Sequence, residues 1–147
     1  MAIWLLDTNV ILRIQEEQCD QYELVTRSVA RLIEGGSPVC VAPQVITEFW
    51  CVATRPREVN GLGWNVDLTE ARVKDLLDRF EFLEDTAAVF PIWLDLVRNH
   101  AVNGKQVHDA RLVAVMKAHG VENLLTFNID DFKAYEEISA VHPASVG

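Results

Sequence analysis

The stretch MAIWLLDTNVIL, residues 1–12, places a carboxylate inside an apolar run. Residues 3–6 are apolar, Asp7-Thr8-Asn9 follow directly, and apolar residues resume at Val10. A continuous apolar run of this length is typical of a strand buried on both faces. A charge removed from water costs several kcal/mol unless it is paired. Asp7 therefore either caps the end of this strand or helps to hold a cation.

The rest of the chain alternates buried strands with helices. Short apolar runs predict further strands at 39–41 and 123–127, with an edge strand at 140–142. Helical spacing predicts helices between them, including one that Asp67 or Thr69 would cap and one that begins after Pro91. This alternation predicts an α/β fold with a central parallel sheet covered by helices on both faces.

The parallel sheet would gather several acidic and amide side chains at one rim. Asp7 follows the first strand and Asn128 follows the strand at 123–127, so both belong at the carboxyl ends of strands, where sites form. Glu48 and Asp109 interrupt apolar helical patterns and would reach the same rim. Taken singly, Asp7 reads as a cap, Glu48 as a solvated residue and Asp109 as a helix-dipole partner. Their convergence instead indicates a site for Mg²⁺ or Mn²⁺, because several carboxylates repel one another without a cation.

Composition limits the remaining possibilities. The 147 residues carry a net charge of −9, which excludes a protein that coats nucleic acid by charge alone but not a metal-dependent enzyme that acts on it. Three cysteines, Cys19, Cys40 and Cys51, form no CxxC pair, and we expect Cys40 and Cys51 to be buried and inert. From the length we expect one domain over residues 1–147. Because the sequence shows no signal peptide pattern and no apolar stretch long enough to span a membrane, we expect no membrane contact and a cytoplasmic location.

Four motifs, in this order and spacing, resemble the PIN domain family, and most closely its VapC-type toxins of bacterial toxin–antitoxin pairs. They are Asp7-Thr8-Asn9 after a strand, Glu48 in the helix after the second strand, GKQVHDARL around Asp109 and LLTFNIDDF around Asn128. The resemblance implies a three-layer α/β/α sandwich and a Mg²⁺-dependent endoribonuclease. It further implies a homodimer that is inhibited by a small antitoxin, whose basic C-terminal segment would suit the acidic site.

The same resemblance assigns roles to individual residues. Asp7 and Asp109 match the main metal ligands, and Glu48 matches a third acid that binds metal or positions water. Asn128 departs from the family, in which many members have Asp. An asparagine binds metal weakly through its carbonyl oxygen or only through water, so Asn128, Asp130 or Asp131 could fill the fourth acidic position. Thr8, Asn9 and Thr126 would orient the ligands through hydrogen bonds.

Three other classes fit the sequence less well. An aspartyl phosphatase needs Asp-x-Asp after the first strand, but the third residue here is Asn9. A signalling receiver domain needs an early pair of carboxylates and a late lysine, and Lys133 follows Phe132 in the wrong place. An inactive PIN fold that only binds proteins stays open because of Asn128.

Overall fold

The computed structural model of the chain describes residues 2–146 and contains a parallel sheet of five strands within them. The spatial order of the strands is β3-β2-β1-β4-β5. The strands are β1 (Trp4–Leu6), β2 (Val39–Val41), β3 (Glu81–Phe82), β4 (Asn123–Leu125) and β5 (Ser139–Val141). The chain thus adds β2 and β3 on one side of β1 and then returns to add β4 and β5 on the other.

Among residues 2–146, six α-helices cover the sheet. One group of four packs together on one face, and the other two helices pack against each other on the opposite face, which gives the predicted α/β/α sandwich. The first group is α1 (Thr8–Ile14), α2 (Tyr22–Glu34), α3 (Pro43–Thr54) and α4 (Val66–Arg79), and the second is α5 (Val89–Asn99) and α6 (Val107–His119). None of the helices in residues 2–146 is both long and apolar enough to cross a membrane.

The core lies between these layers and follows from the apolar strands. Leu5 and Leu6 of β1, together with Leu124 and Leu125 of β4, are 0 % exposed, as expected for neighbouring central strands. On α6, residues 112–116 are all buried, so this helix is enclosed on most sides. It ends at His119 and is capped by Gly120, whose φ of 69° is left-handed and favours glycine.

Several local predictions need correction. The strand β3 was not predicted, because its two residues are exposed and carry no apolar run. The cap of α4 is Asn65, whose side chain accepts from the Leu68 N–H at 2.8 Å, and is neither Asp67 nor Thr69. Helix α5 begins at Val89, two residues before Pro91, because proline is compatible with a first helical turn. The strand predicted at 123–127 ends at Leu125.

Candidate functional site

The candidate site lies where the strand order reverses, between the carboxyl ends of β1 and β4. The backbone N–H of Asp7, which follows β1, donates to the Leu125 carbonyl at 3.0 Å, so the ends of the two strands are tied together. In open parallel sheets this switch point forms a crevice, because the connecting helices diverge to opposite faces. The predicted convergence of Asp7 with the loop after β4 is therefore present in the fold.

Hydrogen bonds from the segments that follow β1 and β4 hold the side chain of Asp7 in place. One carboxylate oxygen, Oδ1, accepts from the Thr8 N–H at 2.8 Å, so Asp7 also serves as the N-cap of α1. The other oxygen, Oδ2, accepts from the Thr126 hydroxyl at 2.8 Å and from the Asn9 amide at 3.4 Å. The same carboxylate therefore both caps α1 and belongs to the candidate site. Burial raises the pKa of Asp7; the bonds from Thr126 and Thr8 oppose the rise, and the charges of Glu48 and Asp131 add to it.

Asn9 and Thr126 join the two loops around this carboxylate. The Asn9 amide donates to the Thr126 hydroxyl at 3.2 Å, and its carbonyl oxygen accepts from the Phe127 N–H at 3.1 Å. The Thr126 hydroxyl also accepts from the Asn128 N–H at 3.0 Å. Thr126 itself is fully buried. These bonds hold the loop after β4, and Asn128 with it, in a set position beside Asp7.

Glu48 is held against α1. The Thr8 hydroxyl donates to Glu48 Oε1 at 2.6 Å, a short bond of the kind formed to a charged acceptor. Glu48 lies on α3, which packs against α1, so one turn of each helix brings these side chains together. Glu48 is consequently directed toward the same pocket as Asp7 and is not a solvated surface residue.

Asp109 occupies the first turn of α6 on the opposite face of the sheet. Its pKa is raised to about 6, first by burial and then by the negative charges of Asp131, Asp7 and Glu48. Asp7, Glu48 and Asp109 line one crevice, and Asp131 lies near enough for its charge to act on Asp109. Carboxylates that repel one another without a cationic partner are typical of a functional site, because an arrangement that served stability would pair each charge with an opposite one.

An open pocket of about 400 Å³ separates these side chains. Sequence analysis missed three of its walls, Leu12, Cys51 and Val52, although their spacing from Thr8 and Glu48 places them on the same helix faces. Cys51 was expected to be buried and is exposed, whereas Cys40 is buried as expected. The lining comprises Asp7, Thr8, Asn9, Leu12, Glu48, Cys51, Val52, Asp109 and Asn128.

The loop after β4 separates the three candidates for a fourth polar position. Asn128 lines the pocket through its place after Thr126. Asp131 is near enough for its charge to raise the pKa of both Asp7 and Asp109. Asp130 is turned away and forms an exposed ion pair with Lys133 at 2.7 Å. Neither aspartate caps the short 3₁₀ turn Ile129–Phe132, which begins at Asn128 without a side-chain cap.

Within residues 2–146, no three Asp, Glu, His or Cys side chains form a closed set of metal ligands. Mg²⁺ is usually held by one or two carboxylates and completes its octahedron with water. The donors around the pocket are hard oxygens, which Mg²⁺ and Mn²⁺ prefer. The residues present therefore fit such an ion in their chemistry.

Comparison with known proteins agrees with this architecture. The model of the PIN domain family matches residues 4–138. Ribonuclease VapC24 of Mycobacterium tuberculosis is 28% identical over 135 residues, which are 86% of this chain and 87% of that protein.

Solved structures share the fold at low identity. The structure of VapBC2 from Rickettsia felis bound to a promoter DNA fragment has a TM-score of 0.70 at 16% identity and covers 95% of this chain and 98% of that one. The structure of VapC20 from M. tuberculosis, described as a sarcin-ricin loop cleaving toxin, has a TM-score of 0.62 at 20% identity, covering 90% and 95%. The resemblance inferred from the four motifs is thereby confirmed.

Proposed function

This chain belongs to the PIN domain family, and from that premise we propose that it is a metal-dependent endoribonuclease that acts as the toxin of a toxin–antitoxin pair. The observation that carries the proposal is the gathering of three carboxylates, Asp7, Glu48 and Asp109, around an open pocket at the switch point of the sheet, with the charge of Asp131 close enough to act on Asp109. The ribonuclease name of the VapC24 relative supports the same activity.

We assign the divalent ion, Mg²⁺ or Mn²⁺, to Asp7 and Asp109, with Glu48 as a third ligand or as the group that positions water. A bound ion would polarise the scissile phosphate and lower the pKa of a coordinated water molecule. Asp7 reaches the pocket from the end of β1 and Asp109 from the first turn of α6, so the sheet and one helix layer each supply a ligand. The pocket between them is open enough to admit a phosphodiester.

The remaining residues orient these groups. Thr8 occupies one oxygen of Glu48, which leaves the second oxygen to hold the attacking water. Asn9 and Thr126 fix the carboxylate plane of Asp7. Asn128 contributes an amide at the pocket, and Asp131 supplies the fourth carboxylate. The alternative of an inactive PIN fold depends on Asn128, and the charge of Asp131 beside Asp7 and Asp109 argues against it.

The partners follow from the charge of the site. The substrate is RNA, and the inhibitor is a small antitoxin whose basic C-terminal segment places an Arg or Lys among Asp7, Glu48 and Asp109, because an exposed cluster of carboxylates attracts a cationic side chain. We further propose a homodimer, a single domain over residues 1–147 and a cytoplasmic location.

Cleavage of single-stranded RNA by the purified chain tests the proposal. We expect cleavage with millimolar Mg²⁺ or Mn²⁺, none with excess chelator, and a loss of roughly 10² to 10⁴ in rate for Asp7→Ala or Asp109→Ala. Asp95→Ala, at an exposed position in the middle of α5, is the matched control and should cleave like wild type. Undiminished cleavage in chelator, or in both site variants, would refute the metal mechanism.

A further inference from the structure

A second groove adjoins the acidic pocket and shares Glu48 with it. Its volume is about 420 Å³, within the range of roughly 300–1,000 Å³ that small-ligand sites occupy. The groove runs between the start of α3, the segment after β3 and the start of α6. Its lining comprises Pro43, Gln44, Thr47, Glu48, Asp85, His108 and Arg111.

The guanidinium group of Arg111 is held in one orientation at this groove. Its Nη1 donates to Gln44 Oε1 at 3.3 Å, and its Nη2 lies 3.3 Å from Asp85 Oδ1. Gln44 is itself fixed, because its amide donates to the His108 carbonyl at 2.7 Å. A guanidinium that is already oriented loses little conformational freedom when it binds a phosphate.

The ion pair between Arg111 and Asp85 is easily exchanged. The two side chains are 37% and 42% exposed, and a pair this open to solvent contributes little stability. A phosphate offers more acceptor oxygens than the single contact from Asp85, so it can replace that carboxylate. Arg111 is therefore an oriented cation whose present partner, Asp85, competes only weakly with a phosphate.

Charge explains why a cation is needed beside the acidic pocket. No Lys or Arg appears among the described residues that line the acidic pocket, and Arg111 is the one such residue along the adjoining groove. An RNA strand that enters the pocket also brings phosphates on either side of the cleaved bond. Without a cation those phosphates would face Glu48 and Asp85, and binding would be opposed by repulsion.

We propose that this groove is a subsite for the nucleotide next to the cleaved bond, and that Arg111 binds the phosphate of that nucleotide by displacing Asp85. This inference rests on the proposed ribonuclease function and adds a binding residue to it. Gln44 is the positioning residue that keeps Arg111 aligned.

The first test measures binding of an oligoribonucleotide that wild type cleaves, in an Asp109→Asn background that leaves the RNA intact, over a range of salt concentrations. Arg111→Gln should weaken binding about tenfold and reduce the slope of log affinity against log salt by about 0.7, the value for one phosphate contact on a single strand. Lys74→Gln is the control, since Lys74 pairs with Glu70 on α4, and it should change neither quantity. Arg111→Lys should preserve the slope with a smaller loss of affinity, which separates the charge from any folding defect.

The second test uses the competitor. Asp85→Asn should tighten RNA binding about threefold, a modest change expected for an exposed pair, and only when Arg111 is present. If the ion pair is purely structural, Asp85→Asn and Arg111→Gln should both weaken RNA binding. Either that result or an unchanged salt slope in Arg111→Gln would refute the proposed subsite. Neither result would contradict the proposed nuclease activity. If wild type neither binds nor cleaves RNA, the proposed function fails and the subsite fails with it.

Discussion

Replacing Asp109 with asparagine tests whether the acidic pocket is a strained assembly built for a cation. The pKa of Asp109 is raised from 3.8 to about 6 by burial and by the charges of Asp131, Asp7 and Glu48. A shift of this size corresponds to about 3 kcal/mol between the two protonation states. Asp109 is only partly buried, so solvent screening reduces the expected effect to about 1 kcal/mol. Metal-free Asp109→Asn should therefore be more stable than wild type at pH 7.5 by this amount, or about 3 °C in Tm.

The pH dependence has a definite sign. The folded pKa of this carboxyl lies above its unfolded value, so the folded protein holds the extra proton between them and ionised Asp109 destabilises the fold above about pH 6. As the pH falls from about 6 to 3.8, that destabilisation disappears. The advantage of the asparagine variant should thus fall to about half near pH 5 and vanish near pH 3.8.

Mg²⁺ should reverse the order of stability. Wild type gains RT ln(1 + [L]/Kd), about 1.4 kcal/mol at ten times Kd, whereas the asparagine variant binds the ion weakly. The assay is a set of melting curves at pH 7.5, 5 and 4, with and without Mg²⁺, and exposed Asp95→Asn is the control. A destabilised asparagine variant without metal, a pH-independent difference, or no response to Mg²⁺ in wild type would show that Asp109 is a structural helix-terminus residue.

Two further predictions concern the groups around this carboxylate. Asp131→Asn should lower the pKa of Asp109 in an NMR titration while Asp130→Asn leaves it unchanged, because of these two aspartates Asp131 acts on Asp109 and Asp130 pairs with Lys133. Equal effects would refute the assignment of the fourth acid. Thr8→Val should weaken Mg²⁺ binding by about tenfold in calorimetry, since the orientation of Glu48 is lost. Thr47→Val, on α3 with its hydroxyl bonded to the Pro43 carbonyl, is the control, and equal affinity in the two variants would argue against the role of Thr8.

The convergence of the site was predictable because it follows from strand burial. Strands that are apolar on both faces must lie inside a parallel sheet, and parallel strands end at one rim. The pairing of Leu6 with Leu125 places Asp7 and Thr126 next to each other at that rim. Glu48 and Asp109 were predictable as site residues because each is a carboxylate within an apolar helical pattern. The order of the strands in the sheet was not predictable from the sequence alone.

Features without a hydrophobic pattern were not predictable. The strand β3 forms because its backbone pairs with β2 at the edge of the sheet, with Glu81 opposite Cys40. Its two side chains are exposed and give no sequence pattern that predicts a strand. The groove at Arg111 likewise depends on the segment after β3, which brings Asp85 to the start of α6. Contacts between distant segments decide both features, and single-sequence periodicity does not contain them.

The choice between Asp130 and Asp131 as the proposed fourth acid depends on a local turn whose register the sequence leaves open. Asp130 and Asp131 are adjacent, so either could face the pocket, and the choice depends on the register of the 3₁₀ turn Ile129–Phe132. Phe132 is buried and anchors that register. In a 3₁₀ turn, residues three apart share a face, so Asp130 falls beside Lys133 and pairs with it, while Asp131 points about 120° away. The side chain that orients the turn is thus apolar, and it leaves Asp131, three residues after Asn128, as the aspartate of the adjacent pair whose charge acts on Asp7 and Asp109.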